Sequence, residues 1–152
     1  KDLVYFSNRG VSGIDGCTST AAGMADVSKQ TVTLISGDIS FFYDTNAFWN
    51  NYLKNLKVIV INNGGGGIFR IIDQPENMND TELLFETRHQ RKAEGIAKAF
   101  GIRYFSASDE NSLKSGMDEL YKDNLPGILE IFTPTEKNPL ILKNYFDYLK
   151  NK

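Results

Sequence analysis

Residues 58–67 read Val58-Ile59-Val60-Ile61-Asn62-Asn63-Gly64-Gly65-Gly66-Gly67. A continuous apolar run of this length suits a strand covered on both faces, as in a parallel sheet. Open parallel sheets bind ligands at the carboxyl ends of their strands. At that end this strand carries two carboxamides and four glycines.

Working outward, Thr31–Ser36 reads as a second strand, and it runs into Gly37-Asp38-Ile39-Ser40. Val4–Phe6 reads as a short strand and Cys17–Asp26 as a helix of small residues. Ser40–Leu53 is a predicted helix with aromatic positions at Phe41, Phe42, Phe48 and Trp49. Ile68–Ile72 suits a strand or the start of a helix, and residues 73–87 are polar and irregular. Beyond them lie a helix over Arg91–Phe100 and a strand over Arg103–Ser106. A helix capped by Ser108 or Asp109 runs to Lys122, followed by a strand over Gly127–Phe132. A last helix spans Asn138–Lys150 with Pro139 in its first turn. Strands alternating with helices predict an α/β fold, a three-layer α/β/α arrangement around a mostly parallel sheet.

The 152 residues suffice for one domain and hardly two. A net charge of −2 gives no electrostatic case for nucleic acid or an anionic membrane. No run approaches the ~18 apolar residues of a membrane span, and no signal peptide is legible. The single cysteine, Cys17, rules out an internal disulfide and suits a packed thiol in a reducing compartment. A cytoplasmic location is the expectation. The opening Lys1-Asp2-Leu3-Val4-Tyr5-Phe6 lacks Met and enters a strand-like stretch at once, as a piece of a longer polypeptide would.

Asp38 and Asn62-Asn63 stand at the carboxyl ends of neighbouring predicted strands. Together they suit a hard cation and a diphosphate. Mg²⁺ takes six oxygens, usually from one or two carboxylates plus phosphates and water. Asp38 offers a carboxylate, and Asn63 offers a carbonyl oxygen without further charge to repel phosphates. Ser40 is placed at a helix N-cap, where free N–H groups attract a phosphate. The glycines let a backbone carbonyl turn to the metal and let phosphates approach. A dinucleotide loop is disfavoured, because no glycine completes G-x-G-x-x-G from Gly64 or Gly65.

Gly37-Asp38-Ile39, 22 residues, then Asn62-Asn63 resembles the thiamine-diphosphate (ThDP) signature, with Ile39 where Gly is usual. Ser7-Asn8-Arg9-Gly10-Val11-Ser12-Gly13-Ile14-Asp15-Gly16, Tyr43-Asp44, Ile68-Phe69 and Thr87-Arg88-His89 resemble the SEPHCHC synthases of menaquinone biosynthesis, whose signature tolerates an aliphatic residue after Gly-Asp. That resemblance implies that residues 1–152 are a single pyrophosphate-binding domain, the C-terminal part of a longer chain. The implied reaction decarboxylates 2-oxoglutarate and adds the succinyl unit to isochorismate. The implied metal ligands are Asp38, the Asn63 side chain and the Gly65 carbonyl, around Mg²⁺ or Mn²⁺. Cofactor contacts fall to Gly13, Ile14, Asp38, Ile39, Ser40, Asn63, Gly65 and Gly66. Arg9, Ile68 and Phe69 would meet substrate, with Arg9 paired to a carboxylate. No catalytic residue is assigned here: the Glu that activates the aminopyrimidine would come from an N-terminal domain of a second subunit. The isolated domain is therefore expected not to turn over, and the intact enzyme is expected to be a homo-oligomer.

Two other readings compete. One is the same domain from another ThDP decarboxylase or acetolactate-synthase-like enzyme. The other is a non-catalytic α/β module for a nucleotide or a protein partner. His89, the only histidine, has no nucleophile motif beside it and reads as structural or peripheral.

Overall fold

A computed structural model describes residues 3–8, 13–49, 53–70 and 85–151. Among them, strands β1 (Val32–Gly37), β2 (Leu56–Asn62), β3 (Arg103–Ala107) and β4 (Gly127–Phe132) form one sheet. Their order is β1-β2-β4-β3, and every pair is parallel. Helices α1 (Cys17–Val27), α2 (Asp38–Tyr43), α3 (Ala93–Ala99), α4 (Glu110–Tyr121) and α5 (Asn138–Lys150) alternate with the strands, with 3₁₀ turns at Thr45–Trp49 and Gly67–Arg70.

The strand pleat divides the core in two. Leu56, Val58, Val60 and Ile128 point to one face, against Ala21, Ala22 and Ala25 of α1, Phe41 of α2, Phe48, and Ala93 and Ala97 of α3. Ile59 and Leu129 point to the other, against Leu120, Leu113 and Met117 of α4. Helices on both faces make this the expected three-layer α/β/α fold. They also explain why β2 reads as an unbroken apolar run. Each fully buried Leu, Ile or Phe contributes roughly 1.5–3 kcal/mol through surface removed from water.

Three sequence expectations need correction. Val4–Phe6 is not a strand: residues 3–8 hold neither helix nor strand, and Leu3 to Phe6 are exposed. An apolar triplet satisfies a strand pattern, but a strand also needs a neighbouring ladder, and none of the described strands supplies one. The helix over Ser40–Leu53 is broken after Tyr43. Asp44, at the break, turns its carboxylate to α1, where it accepts from the Ser19 backbone N–H and hydroxyl, each at 2.6 Å. Ser40 is not an N-cap. Gly37 is, with extended backbone at φ −74° and ψ 160°, and Ser40 lies inside the first turn.

Other boundaries agree to within two residues. Asp109 is the cap of α4, its carboxylate accepting from Ser112 N–H at 2.9 Å in a reciprocal capping box. The 3₁₀ turn Gly67–Arg70 occupies the start of the expected 68–72 element. Residues 71–84, with most of the irregular segment 73–87, lie outside the described residues.

Candidate functional site: the carboxyl ends of β1 and β2

Parallel pairing sets Gly37 beside Ile61, so β1 and β2 end together. The turn after each strand therefore meets the other at one edge of the sheet. Asp38 is 2% exposed there. Its Oδ2 accepts from the backbone N–H groups of Gly64 at 2.9 Å and Gly65 at 3.0 Å. Its Oδ1 accepts from Ile39 N–H at 2.7 Å. Three backbone donors hold the carboxylate in one orientation.

Asn63 completes the arrangement. One end of its carboxamide lies 3.2 Å from Asp38 Oδ2 and 2.6 Å from the Gly65 carbonyl oxygen. Placed there as the NH₂, that end donates to both. Placed there as oxygen, it leaves three oxygens facing one another with no proton between them, which only a cation reconciles. Without a cation the neighbouring acceptors favour the NH₂ end there; with one, the oxygen end suits the place. The donor set of one carboxylate, one carboxamide and one carbonyl suits a hard divalent ion that keeps further positions for phosphate and water. Among the described residues no three His, Cys, Asp or Glu side chains gather as an alternative nest.

The glycine run is shaped for this role at Gly65. Its φ of +154° and a Cβ that would fall 2.6 Å from the Glu86 carbonyl oxygen exclude any side chain. That carbonyl accepts from Gly66 N–H at 2.6 Å. Ser40 Oγ, in the first turn of α2, is buried and makes no hydrogen bond. A buried unpaired hydroxyl is costly and suits an acceptor brought by a ligand. The converging oxygens, the closed glycine turn and the orphaned Ser40 hydroxyl all fit a metal diphosphate.

Sequence reasoning missed several residues here. His89 is not peripheral: its ring is buried, and Nε2 lies 3.3 Å from Asp38 Oδ2. Nδ1 accepts from Arg91 N–H at 3.0 Å, which puts the neutral ring's proton on Nε2, facing the carboxylate. The approach is off-line, so Nε2 makes no hydrogen bond of good geometry. Phe42 packs edge-on against the ring at 5.4 Å between centroids. Glu86 is buried and binds Arg70 Nε at 2.5 Å and Arg88 Nε at 3.0 Å. Arg70 also reaches Glu136 at 2.7 Å. The Arg70 hydrogen bond holds the Glu86 carboxyl below its usual range, with burial opposing and Arg88 adding to it. This cluster pins the Glu86 carbonyl against Gly65 and Gly66. No spacing rule would have found it.

The remaining expected residues separate into two groups. Ile39 borders the Asp38 turn, while Gly13, Ile14 and Ile68 are exposed. The turn carrying Gly13 and Ile14 is tied down behind: Gly16, at φ 76°, caps α1, and Asn8 Nδ2 donates to Thr20 Oγ1 at 3.0 Å. Arg9 and the side chain of Phe69 lie outside the described residues. A cavity of about 250 Å³ opens beside Asn63, Gly64 and His89, with Thr133 and Thr135 on its wall. A larger one of about 370 Å³, near Lys29 and Lys54, lies at the amino edge of the sheet, away from the strand ends where ligands bind.

Comparison with known proteins bears directly on this edge. The family described as "Thiamine pyrophosphate enzyme, C-terminal TPP binding domain" matches residues 4–131. The chain belongs to that family. Among its relatives is the 2-succinyl-5-enolpyruvyl-6-hydroxy-3-cyclohexene-1-carboxylate synthase of Flavobacterium johnsoniae, 53% identical over 97% of this chain and 27% of that protein. The synthase of the same name from Christiangramia forsetii is 44% identical over 99% of this chain and 26% of that protein. This TPP binding domain thus spans about a quarter of the length of the relatives it matches. A solved Rhodococcus jostii RHA1 thiamine diphosphate-dependent 4-hydroxybenzoylformate decarboxylase superposes with a TM-score of 0.57 at 19% identity, over 75% of this chain and 22% of that one. That likeness carries the fold alone. No helix among the described residues is long and apolar enough to cross a membrane.

Proposed function

We propose that this TPP binding domain holds the metal diphosphate of ThDP within a SEPHCHC synthase, which decarboxylates 2-oxoglutarate and adds the succinyl unit to isochorismate. The observation that carries the site is the convergence of Asp38 Oδ2, the Asn63 carboxamide and the Gly65 carbonyl. In this reading those three oxygens ligate Mg²⁺ or Mn²⁺, both of which accept such ligands. Asp38, Ile39 and Ser40 meet the diphosphate, Ser40 through its unpaired Oγ, and Gly66 lies against the cofactor. Gly13 and Ile14 contact the cofactor, Ile14 as an apolar wedge. Arg9, Ile68 and Phe69 face the substrates. When bound, ThDP supplies the nucleophilic carbon and the electron sink for decarboxylation. The residues described here bind and orient; the acid that activates the cofactor's aminopyrimidine belongs to another domain, in a homo-oligomer.

Calorimetry tests the reading. Full-length protein should bind ThDP only with Mg²⁺ or Mn²⁺ present, and Asp38→Ala should abolish that dependence. Sustained product from residues 1–152 alone, with ThDP, Mg²⁺, 2-oxoglutarate and isochorismate, would overturn the division of labour. A preference for NAD or ATP over ThDP would overturn the cofactor assignment.

A further inference from the structure

Glu130 lies in the middle of β4, 0% exposed. No Lys, Arg or His side chain is paired with it among the described residues. Neutral donors surround it instead: Asn62 Nδ2 at 2.7 Å, Ala93 N–H at 3.0 and 3.1 Å to its two oxygens, and the Tyr104 hydroxyl at 2.6 Å. Removing a carboxylate from water costs several kcal/mol, and a sheet strand has no need of one. Its contacts show what it secures.

Asn62 is the link to the site. Its Nδ2 is shared between Glu130 and the Arg91 carbonyl at 3.0 Å. Its Oδ1 accepts at 3.0 Å from Gly64 N–H, which also faces Asp38 Oδ2 at 2.9 Å. The Gly64 carbonyl in turn accepts from His89 N–H at 3.0 Å. One carboxylate on β4 therefore fixes the Asn62 carboxamide, the start of α3 and, through them, both sides of the Gly64–Gly65 turn.

We propose that Glu130 is a positioning residue for the metal site, acting through Asn62 to set the turn that brings Asp38, Asn63 and the Gly65 carbonyl together. The inference rests on the metal-diphosphate reading of that turn. Tyr104 holds the far oxygen of Glu130: its hydroxyl donates to Oε2 at 2.6 Å, which leaves Oε1 turned to Asn62. The alternative is that Glu130 only caps α3 through Ala93.

The two roles separate in full-length protein, by titrating Mg²⁺ at fixed ThDP and recording the unfolding temperature without cofactor. Glu130→Ala should raise the half-saturating Mg²⁺ concentration about 10–100-fold, the usual loss when a residue supporting a metal ligand is removed. Glu130→Gln keeps an oxygen for Asn62 and should show a smaller rise. Asn62→Ala should show a rise comparable to that of Glu130→Ala, and the double variant should be no worse than the worse single one, since the two act in series. Independent, multiplying effects would overturn the proposal. So would an unchanged half-saturation in Glu130→Gln and Asn62→Ala, which decides the matter even if Glu130→Ala does not fold. Asp38→Ala in the same titration keeps the two readings apart. If it leaves the Mg²⁺ dependence intact, the metal site itself is wrong. If it abolishes the dependence while the Glu130 variants change nothing, only the positioning role falls.

Discussion

The two ends of strand β2 are finished differently. At the amino end Lys57 is 1% exposed, and its Nζ donates to the carbonyls of Asp123 at 2.8 Å and Leu125 at 2.5 Å, with Asp123 Oδ1 at 3.9 Å. The ammonium is satisfied inside the chain. At the carboxyl end the Asn63 amide faces two acceptors, and Ser40 Oγ has no partner. Buried polar groups in folded proteins are nearly always paired. The difference therefore separates an ammonium whose acceptors the fold supplies from a hydroxyl, Ser40 Oγ, for which it supplies none.

The sharpest way to break this contrast is at Gly65. Gly65→Ala forces a Cβ against the Glu86 carbonyl, in a backbone region costing about 1–3 kcal/mol for other residues. It should lower the denaturant midpoint and abolish metal-dependent ThDP binding together. A variant that kept both would show that the turn is not a constraint. Lys57→Met tests the other end. It takes the Nζ donor from the Asp123 carbonyl, while Arg103 Nη2 still donates to that of Leu125, at a cost of about 1–3 kcal/mol, and should not move the Mg²⁺ half-saturation.

The same variant has a pH signature. Burial holds the Lys57 pKa below 10.5, with Arg103 adding to the effect and Asp123 opposing it. The folded chain thus sheds this proton before the unfolded chain does. Stability from this group rises as pH climbs from the folded value toward 10.5. The gap in stability between the parent protein and Lys57→Met should widen over that window, and a gap that narrows would reverse the sign. The smallest effect is expected at Asp44. Asp44→Ala removes the acceptor for Ser19 at the start of α1 and should cost about 1 kcal/mol, as loss of a helix cap does. Because α1 begins just after Gly13 and Ile14, a modest loss of ThDP affinity should accompany it, read by calorimetry.

Much of this was legible because it is local. The apolar period of β2 and β4 and the Asp109 cap each depend on a few neighbouring residues, while Asp38 and Asn63 were legible through a signature of fixed spacing. What escaped depends on residues far apart in the chain. Asp44 sits inside a good helical pattern, yet its carboxylate is claimed by Ser19 on another element. His89 follows an irregular segment and has no nucleophile motif beside it, and only folding sets it beside Asp38. Val4–Phe6 has the composition of a strand without a ladder to join. Glu130 left a trace that could have been read: a single charge within Gly127–Phe132, an otherwise apolar run.

The strand order also sets a timetable. Among the described strands β4 lies between β2 and β3, so β3 is made before the strand it pairs with and waits for β4 to slot in. Glu130 follows Asn62 by 68 residues, about 3–14 s of translation at ~5–20 residues per second. The turn bearing Asn62, Asn63 and Gly65 is made early but is fastened among the last features of the fold, when the sheet closes over its own middle.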